Sequence, residues 1–299
     1  METVTEKNSH HSIKQKLKDK FSYSNRYQII LSGILTILCF VTFAPFFWVV
    51  LTSIKPNKEI YTTHLQVFPQ EPTLEHYRTV FEKRESLPTY ISNTLIYSGV
   101  TIAIVATFAS MAGYALGALK IKGAEIFSSS VLFILAVPWI ILVIPTLLFE
   151  FKTGLYDTRE GLILPYVALF LPFGIWIMRG TFSGLPVELG DAARIDGASE
   201  FKIFLLVYLP MAKSGVATTC LILFVNIWNE VLFAATLITD RRLANINKGI
   251  RILADEGQSF AFGILSAVIV LAMIPTLVVF LLLQRYYVRG VSEGALAGF

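Results

Sequence analysis

The sequence contains little charge and almost no cysteine. Charged residues make up 15% of the 299 residues, whereas about a quarter of the residues in a typical soluble domain are charged. The two cysteines, Cys39 and Cys220, both lie in apolar stretches, so we interpret them as small buried hydrophobic residues. Neither a disulfide framework nor a cysteine-based metal site is therefore predicted.

The sequence also lacks the residue patterns that most enzymes and metal sites need. The four histidines have neither zinc-ligand spacing nor a nucleophile-triad pattern around them, and they are His10, His11, His64 and His76. A Gly-rich GxxxxGK[ST] motif for nucleotide phosphates is missing, so this chain is not expected to hydrolyse ATP. We predict no catalytic residue, no metal ligand, no cofactor and no nucleic-acid partner.

Long apolar stretches are what the sequence has in abundance. Hydrophobic residues make up 55% of the chain, and the mean hydropathy is +0.64. A stretch of about 20 apolar residues can cross a bilayer as a helix, and residues 29–284 contain six such stretches. The predicted fold is therefore an all-α membrane protein with six transmembrane helices, at residues 29–54, 90–119, 126–149, 161–178, 212–239 and 260–283.

Two of these stretches have compositions that predict how they pack. The second stretch is rich in Gly, Ala and Ser, which let membrane helices approach closely, so we expect it inside the bundle. The third stretch contains Pro138 and Pro145, which predict a kinked helix. That kink can line a pathway or be a bend without function.

Charge beside the first stretch predicts the orientation of the chain. Residues 1–28 form a polar tail, interpreted as mostly unstructured, with the basic residues Lys7, Lys14, Lys16, Lys18, Lys20 and Arg26. Basic residues next to a membrane helix favour the cytoplasmic side, so the first helix is predicted to run outward. Six helices then place both termini in the cytoplasm, with residues 285–299 as the C-terminal cytoplasmic tail.

A polar island interrupts the apolar sequence at residues 182–210. Pro186 suits the first position of a helix, and Gly197 suits the position just after the end of that helix. Ser199 can cap a second short helix that ends before Pro210. The island is therefore predicted to form two short cytoplasmic helices, joined at a glycine, between the fourth and fifth spans.

This island resembles the EAA signature of ATP-binding-cassette (ABC) importer permeases. The resemblance is carried by Asp191-Ala192-Ala193, by Gly197 after three further residues, and by Val207-Tyr208-Leu209-Pro210 after nine more. The usual motif has Glu at the position of Asp191 and Ile at that of Val207, so both replacements keep the charge or the shape. In that family the loop is a coupling helix that docks into a cleft of a cytoplasmic ATPase. The resemblance implies ATPase-coupling roles for Glu188, Asp191, Ala192, Ala193, Arg194, Asp196, Gly197, Leu209 and Pro210.

The fifth predicted span contains an unusual polar cluster, Asn226, Trp228, Asn229 and Glu230. An ionisable residue at the centre of a membrane helix costs about 2.5–3.5 kcal/mol on insertion scales, so such residues normally face a bundle interior or a wet cavity. Residues 228–233 also resemble the W-N-(E/D)-(F/Y)-L pattern of sugar-importer permeases. The four residues are candidates for the substrate pathway, and a hydrogen-bonding role between helices is an equally good interpretation.

The sequence between the fifth and sixth spans predicts an external loop. Residues 240–259 are polar and are expected to be exposed. The family resemblance implies that this loop reaches toward an extracytoplasmic solute-binding protein. Asn245, Asn247 and Lys248 are the candidate contacts with that protein.

Over almost the whole chain, the resemblance is to the permease subunits of carbohydrate-type ABC importers, of the maltose-permease kind. It implies four kinds of partner: a second homologous permease subunit, an ABC ATPase dimer that binds ATP and magnesium, an extracytoplasmic solute-binding protein and membrane lipid. The implied mechanism is alternating access in a bacterial-type cytoplasmic membrane. Two alternatives stay open: an ion-coupled secondary transporter that uses Glu230, and a membrane protein with a purely structural or assembly role.

Overall fold

The structure is a computed structural model that describes residues 3–64, 66–83, 86–119, 121–255 and 262–296. Within these ranges the regular secondary structure is helical and contains no β-strand, which confirms the all-α prediction. In chain order the helices are α1 (Thr3–Ser53), α2 (Asn57–Ile60), α3 (Glu75–Lys83), α4 (Ser86–Gly117), α5 (Ala124–Ala136), α6 (Val143–Thr153), α7 (Arg159–Ser183), α8 (Val187–Ile195), α9 (Glu200–Ile203), α10 (Leu209–Met211), α11 (Lys213–Trp228), α12 (Leu232–Leu237), α13 (Ile246–Asp255) and α14 (Phe262–Leu296).

Helices long and apolar enough to cross a membrane lie at the predicted spans, except for the fifth, where the qualifying helix pair covers residues 200–228 rather than 212–239. Four helices qualify alone, through Tyr27–Ser53 in α1, Leu87–Gly117 in α4, all of α7 and Phe262–Arg285 in α14. Two bent pairs qualify together: α5 with Trp139–Thr153, bent by 84°, and Glu200–Met211 with α11, bent by 75°. The described part of the chain therefore contains up to six candidate spans when each bent pair counts as one.

The third predicted span, residues 126–149, is broken rather than kinked. Helix α5 ends at Ala136, Val137 is extended, and a 3₁₀ turn follows Pro138 at Trp139–Leu142. Proline has no N–H to donate, and it disfavours the helical conformation of the residue before it. These two effects of Pro138 separate the two halves of the span.

The fifth predicted span, residues 212–239, is not one helix. Helix α11 ends at Trp228, and the chain becomes helical again only in α12. The carboxylate of Glu230 accepts hydrogen bonds from the backbone N–H groups of Phe233 and Ala234, so it caps the start of α12. Apolar length alone does not reveal such a side-chain cap.

The polar N-terminal tail is helical in the structure, which corrects its interpretation as mostly unstructured. Helix α1 begins at Thr3 and continues without a break into the first span. Adding a residue to an existing helix gains one hydrogen bond without a new nucleus, and the tail contains five lysines, which are good helix formers. The C-terminal tail likewise continues α14 to Leu296, and residues 297–299 lie outside the described residues.

The centre of the bundle is the close contact between α4 and α7. A Cβ atom added to Gly113 would lie 2.7 Å from the backbone carbonyl carbon of Met178, and one added to Gly174 would lie 3.0 Å from the Cβ of Ala109. These glycines therefore allow the two backbones to approach, as expected for small residues in membrane helices. The prediction that the second span lies inside the bundle is confirmed.

Candidate functional site

The polar island folds as a compact unit, residues 186–210, here called the docking unit. Helix α8 begins after Pro186, which is its N-cap rather than its first residue. The helix ends at Ile195, and Gly197, two residues later, has a φ of +78°. The Ala198 N–H donates to the Ala193 carbonyl and the Gly197 N–H to the Arg194 carbonyl, each at 3.0 Å. This is a Schellman motif, which requires a left-handed residue and explains the glycine.

The second half of the docking unit is a short helix followed by a widened turn. Ser199 is the N-cap of α9, although its side chain makes no capping hydrogen bond. A π-helical turn at Phe204–Tyr208 comes next, and α10 contains Pro210. Because Pro210 has no N–H and its ring crowds the preceding turn, a regular α-helical pattern cannot continue through it. The bend near Ala212 then leads into α11.

Arg194 connects the two halves of the docking unit. Its guanidinium donates to Asp191 Oδ1 at 2.7 Å, to Glu200 Oε1 at 2.6 Å and to Glu200 Oε2 at 3.2 Å. The hydrogen bond with Glu200 is the largest cause that raises the pKa of Arg194 above its ordinary value. Tyr114, on α4, donates to Glu200 Oε2 at 3.0 Å. The charge network of the docking unit is therefore attached to a membrane-spanning helix.

An aromatic cluster packs between the docking unit and α4. The ring of Tyr114 lies 5.8 Å from that of Phe182, 5.3 Å from that of Phe204 and 5.1 Å from that of Tyr208. A Cβ atom at Gly190 would lie 2.8 Å from the Tyr208 hydroxyl, so α8 rests directly on this ring. Sequence analysis missed this cluster, because nothing in the sequence indicates that Tyr114 meets the polar island.

The outward face of the docking unit mixes apolar and charged residues. Ile195 is 87% exposed and Phe201 62%, and the predicted coupling residues Glu188, Ala192 and Asp196 are exposed with them. Exposed apolar groups among polar ones are typical of a protein interaction surface. The predicted coupling residues Ala193 and Leu209 differ from these, since both pack against the hydrophobic core.

Glu230 is held by hydrogen bonds on several sides. Its carboxylate accepts from Tyr166 Oη at 2.5 Å, from Phe233 N at 2.7 Å and from Ala234 N at 3.2 Å. The backbone carbonyl of Glu230 accepts from Asn245 Nδ2 at 2.6 Å. These bonds favour the interpretation of Glu230 as a hydrogen-bonding residue between helices over that of an ion site.

Residues 244–254 of the predicted external loop are mostly buried or half-buried, which corrects the expectation that the whole loop is exposed, and residues 256–259 lie outside the described residues. Asn245 is buried, and Asn247 Nδ2 donates to the Trp228 carbonyl at 2.6 Å. The Lys248 ammonium donates to the Ile238 carbonyl at the end of α12, and burial lowers the pKa of Lys248. Residues 229–255 are called here the α12–α13 segment. All three predicted binding-protein contacts donate to backbone carbonyls at or near the ends of α11 and α12. Such terminal carbonyls have no partner within their own helix.

The four pathway candidates divide into two buried and two exposed residues. Trp228 is buried and stacks on Phe224 at 5.3 Å, while Asn226 on α11 and Asn229 just after its end are exposed. Each of these two amides donates one N–H to the carbonyl four residues earlier, at 2.8 Å, which leaves the amide oxygen and the second N–H free for another partner.

Comparison with known proteins identifies the family. The model of the family described as "Binding-protein-dependent transport system inner membrane component" matches residues 109–293. The trehalose/maltose transport system permease protein MalG of Thermococcus litoralis is 31% identical, covering 91% of this chain and 97% of MalG. The arabinooligosaccharides transport system permease protein AraQ of Halalkalibacterium halodurans is 30% identical, covering 90% of this chain and 98% of AraQ.

The fold is also found in a solved structure. A chain of a bacterial ABC transporter involved in the import of the acidic polysaccharide alginate superposes with a TM-score of 0.73 at 23% identity, covering 87% of this chain and 96% of that one. None of these similarities supports an ion-coupled transporter. The chain therefore belongs to the binding-protein-dependent transport system inner membrane components, and it is a multi-pass permease subunit of an ABC importer in the inner membrane.

Proposed function

We propose that this subunit passes a carbohydrate across the membrane by alternating access, driven by a separate ATPase that binds ATP and magnesium. The observation that carries the proposal is the docking unit, in which an exposed helix is followed by a positive-φ glycine and Glu200 of the next helix is bonded to Tyr114 of α4. Relatives named for trehalose and maltose and for arabinooligosaccharides support the substrate class.

The docking unit is the surface that meets the ATPase. Its exposed residues Glu188, Ala192, Ile195 and Asp196 form the contact, with the small side chain of Ala192 allowing close approach. Arg194 keeps α8 in a fixed orientation to α9 through its pair with Glu200, and Asp191, on the same helix as Arg194, holds the guanidinium in place. Leu209, which packs against the core, and the exposed Pro210 set the bend that carries a movement of the unit into α11.

The pathway lies along the exposed face of α11, with a second homologous permease subunit on its other side. Polar side chains within a membrane normally face a bundle interior or a water-filled cavity rather than lipid, and Asn226 and Asn229 have exposed amides at this depth. A neutral amide offers one donor and one acceptor to a sugar hydroxyl without favouring a charged solute. These two residues therefore contact the carbohydrate, while the buried Trp228 and Glu230 stabilise the helices that position them.

The solute-binding protein meets the opposite end of the subunit, at the α12–α13 segment. Asn245 is buried and acts there only by holding the segment in shape. Asn247 and Lys248 are half-buried, so their contribution to such a contact comes through the position of α13. The exposed turn Arg241–Leu243 between α12 and α13 is the part that a partner reaches first.

The test is to tag this chain, purify it from its native membrane in mild detergent, and reconstitute the recovered complex in proteoliposomes. We expect an ATPase, a second permease and a binding protein in stoichiometric amounts. We also expect ATP-dependent uptake of one of maltose, trehalose or an arabinooligosaccharide, the solutes named for the relatives. Recovery of the chain alone, or uptake that persists without ATP under an imposed proton gradient, would contradict the proposal.

A further inference from the structure

Helix α4 makes hydrogen bonds to functional elements at both of its ends. Near its C-terminal end, Tyr114 donates to Glu200 in the docking unit at 3.0 Å. Near its N-terminal end, Asn93 donates to the Arg242 carbonyl at 2.7 Å and Tyr97 donates to the Leu243 carbonyl at 2.7 Å. The same helix therefore contacts the docking unit and the α12–α13 segment.

The far-end bonds are buried and specific. Asn93, Thr94 and Tyr97 are each exposed by 1% or less. Besides the bonds already named, Asn93 donates to the Ala244 carbonyl at 3.1 Å, and Thr94 Oγ1 accepts from the Ile246 N–H at 2.8 Å. The carbonyls of residues 242–244 and the N–H of Ile246 are thus bonded to α4. Buried groups of this kind are costly to leave unpaired, so this part of the α12–α13 segment is expected to move together with α4.

Helix α4 is long, unbroken and closely packed, so a displacement at one end is expected to reach the other. Asn93 and Tyr114 are 21 residues apart in one uninterrupted helix, which corresponds to about 30 Å at the α-helical rise. The stretch between them contains no proline. It also packs closely on α7 through Ala109 and Gly113, so bending it would disturb a tightly packed contact.

The near-end bond is connected to the part of the docking unit that a partner contacts. Glu200 binds Arg194 through both of its oxygens, and Arg194 binds Asp191 on α8. Because Arg194 is itself on α8, a displacement of α8 reaches Tyr114 through the Arg194–Glu200 contact and then through the hydroxyl bond between Tyr114 and Glu200. The rings of Phe182, Phe204 and Tyr208 surround Tyr114 and limit its freedom to move independently.

We infer that α4 is a rigid rod that couples the docking unit to the α12–α13 segment, with Tyr114 as its near-end positioning residue and Asn93, Thr94 and Tyr97 as its far-end positioning residues. The inference rests on the proposed function, because it assigns the route by which ATP-driven movement of the docking unit changes the opposite end of the pathway. Neither end of the rod touches the solute.

The test compares Tyr114→Phe, Tyr97→Phe and the double variant in the complex reconstituted with its own ATPase and binding protein. Each substitution removes one hydroxyl and keeps the ring. Tyr77→Phe is the matched control, since the Tyr77 hydroxyl bonds Ser53 at 2.8 Å and belongs to neither end of the rod. The readouts are sugar transported per ATP hydrolysed, the amount of assembled complex and its thermal midpoint.

A second readout follows the far end directly. Val231 is 40% exposed in the α12–α13 segment, so Val231→Cys, in a background with Cys39→Ser and Cys220→Ser, reports opening through its thiol-labelling rate. In the complex without rod substitutions, this rate is expected to change when ATP is added. Tyr114→Phe is expected to reduce that change although the substitution lies at the other end of α4.

We expect each single rod variant to lower the transport-to-hydrolysis ratio by about twofold to thirtyfold, the range of measured coupling energies between distant sites. The double variant should resemble the single variant that has the lower transport-to-hydrolysis ratio, because the two bonds act in series.

Rod variants that match Tyr77→Phe, or single effects that multiply in the double variant, would overturn the inference. Thr94→Val gives the same far-end test if Tyr97→Phe fails to assemble. Loss of sugar uptake in the unmodified complex would instead count against the proposed function.

Discussion

The Arg194 guanidinium holds both carboxylate oxygens of Glu200, with Nε at 2.6 Å from one and Nη2 at 3.2 Å from the other. This pair fixes the angle between α8 and α9. Its partners are substantially exposed, at 37% and 49% of their side-chain areas. An exposed ion pair contributes little to stability, so the main effect of this pair is to fix the orientation of α8 relative to α9.

Arg194→Lys is therefore expected to weaken coupling without unfolding the subunit. Lysine keeps the charge but cannot bind a carboxylate through two parallel N–H groups. We expect stability to change by at most about 1 kcal/mol, while stimulation of ATP hydrolysis by the loaded binding protein falls severalfold. The matched control is Arg78→Lys, which alters the exposed Arg78–Glu82 pair on α3. Equal stimulation in both variants would contradict this role.

Gly197→Ala tests the left-handed turn between the two short helices. A residue with a Cβ costs about 1–2 kcal/mol in this conformation, so we expect the docking unit to shift and the rate of sugar uptake to fall. Gly197→Asn should be milder, because asparagine tolerates positive φ better. Gly180→Ala is the control, since a Cβ there meets nothing within 4 Å. Uptake by Gly197→Ala equal to that of the control would show that the turn is not needed.

Glu230 substitutions separate a capping role from an ion-binding role. Glu230→Gln retains an acceptor oxygen for the start of α12, so we expect ATP-driven uptake to persist. Glu230→Leu removes every acceptor and leaves the buried Tyr166 hydroxyl unpaired, at a cost of about 1–3 kcal/mol. Thermal unfolding of the purified complex and uptake assays measure the two effects. A Gln variant that assembles fully yet transports nothing would support the ion-coupled alternative.

Gly113→Ala tests the close contact between α4 and α7. The added Cβ would lie 2.6 Å from the Met178 Cβ, and overpacking of this kind typically costs about 1–3 kcal/mol. We therefore expect a lower thermal midpoint of the complex. Gly99→Ala on the same helix is the control, because its Cβ meets nothing within 4 Å. Equal midpoints for the two variants would mean that α4 and α7 can separate without cost.

Sequence reasoning located the docking unit well and the far end of the pathway poorly. The docking unit is local: its helices, its glycine and its proline lie within 25 residues of sequence, and each has a conformational preference that acts within a few residues. The α12–α13 segment depends on Glu230 meeting Tyr166 and on Asn245 reaching back to the Glu230 carbonyl. Polarity alone therefore suggested an exposed loop where the chain folds inward.

What the sequence determines by itself is the membrane location, the helical fold and the family, because apolar length and a local motif need no knowledge of distant contacts. Only the tertiary structure decides that Tyr114 meets Glu200 and that Tyr97 meets Leu243. These pairs are separated by 86 and 146 residues. Their contact depends on how α4 packs against the rest of the bundle, and the sequence records no signal for that packing beyond the small residues that permit it.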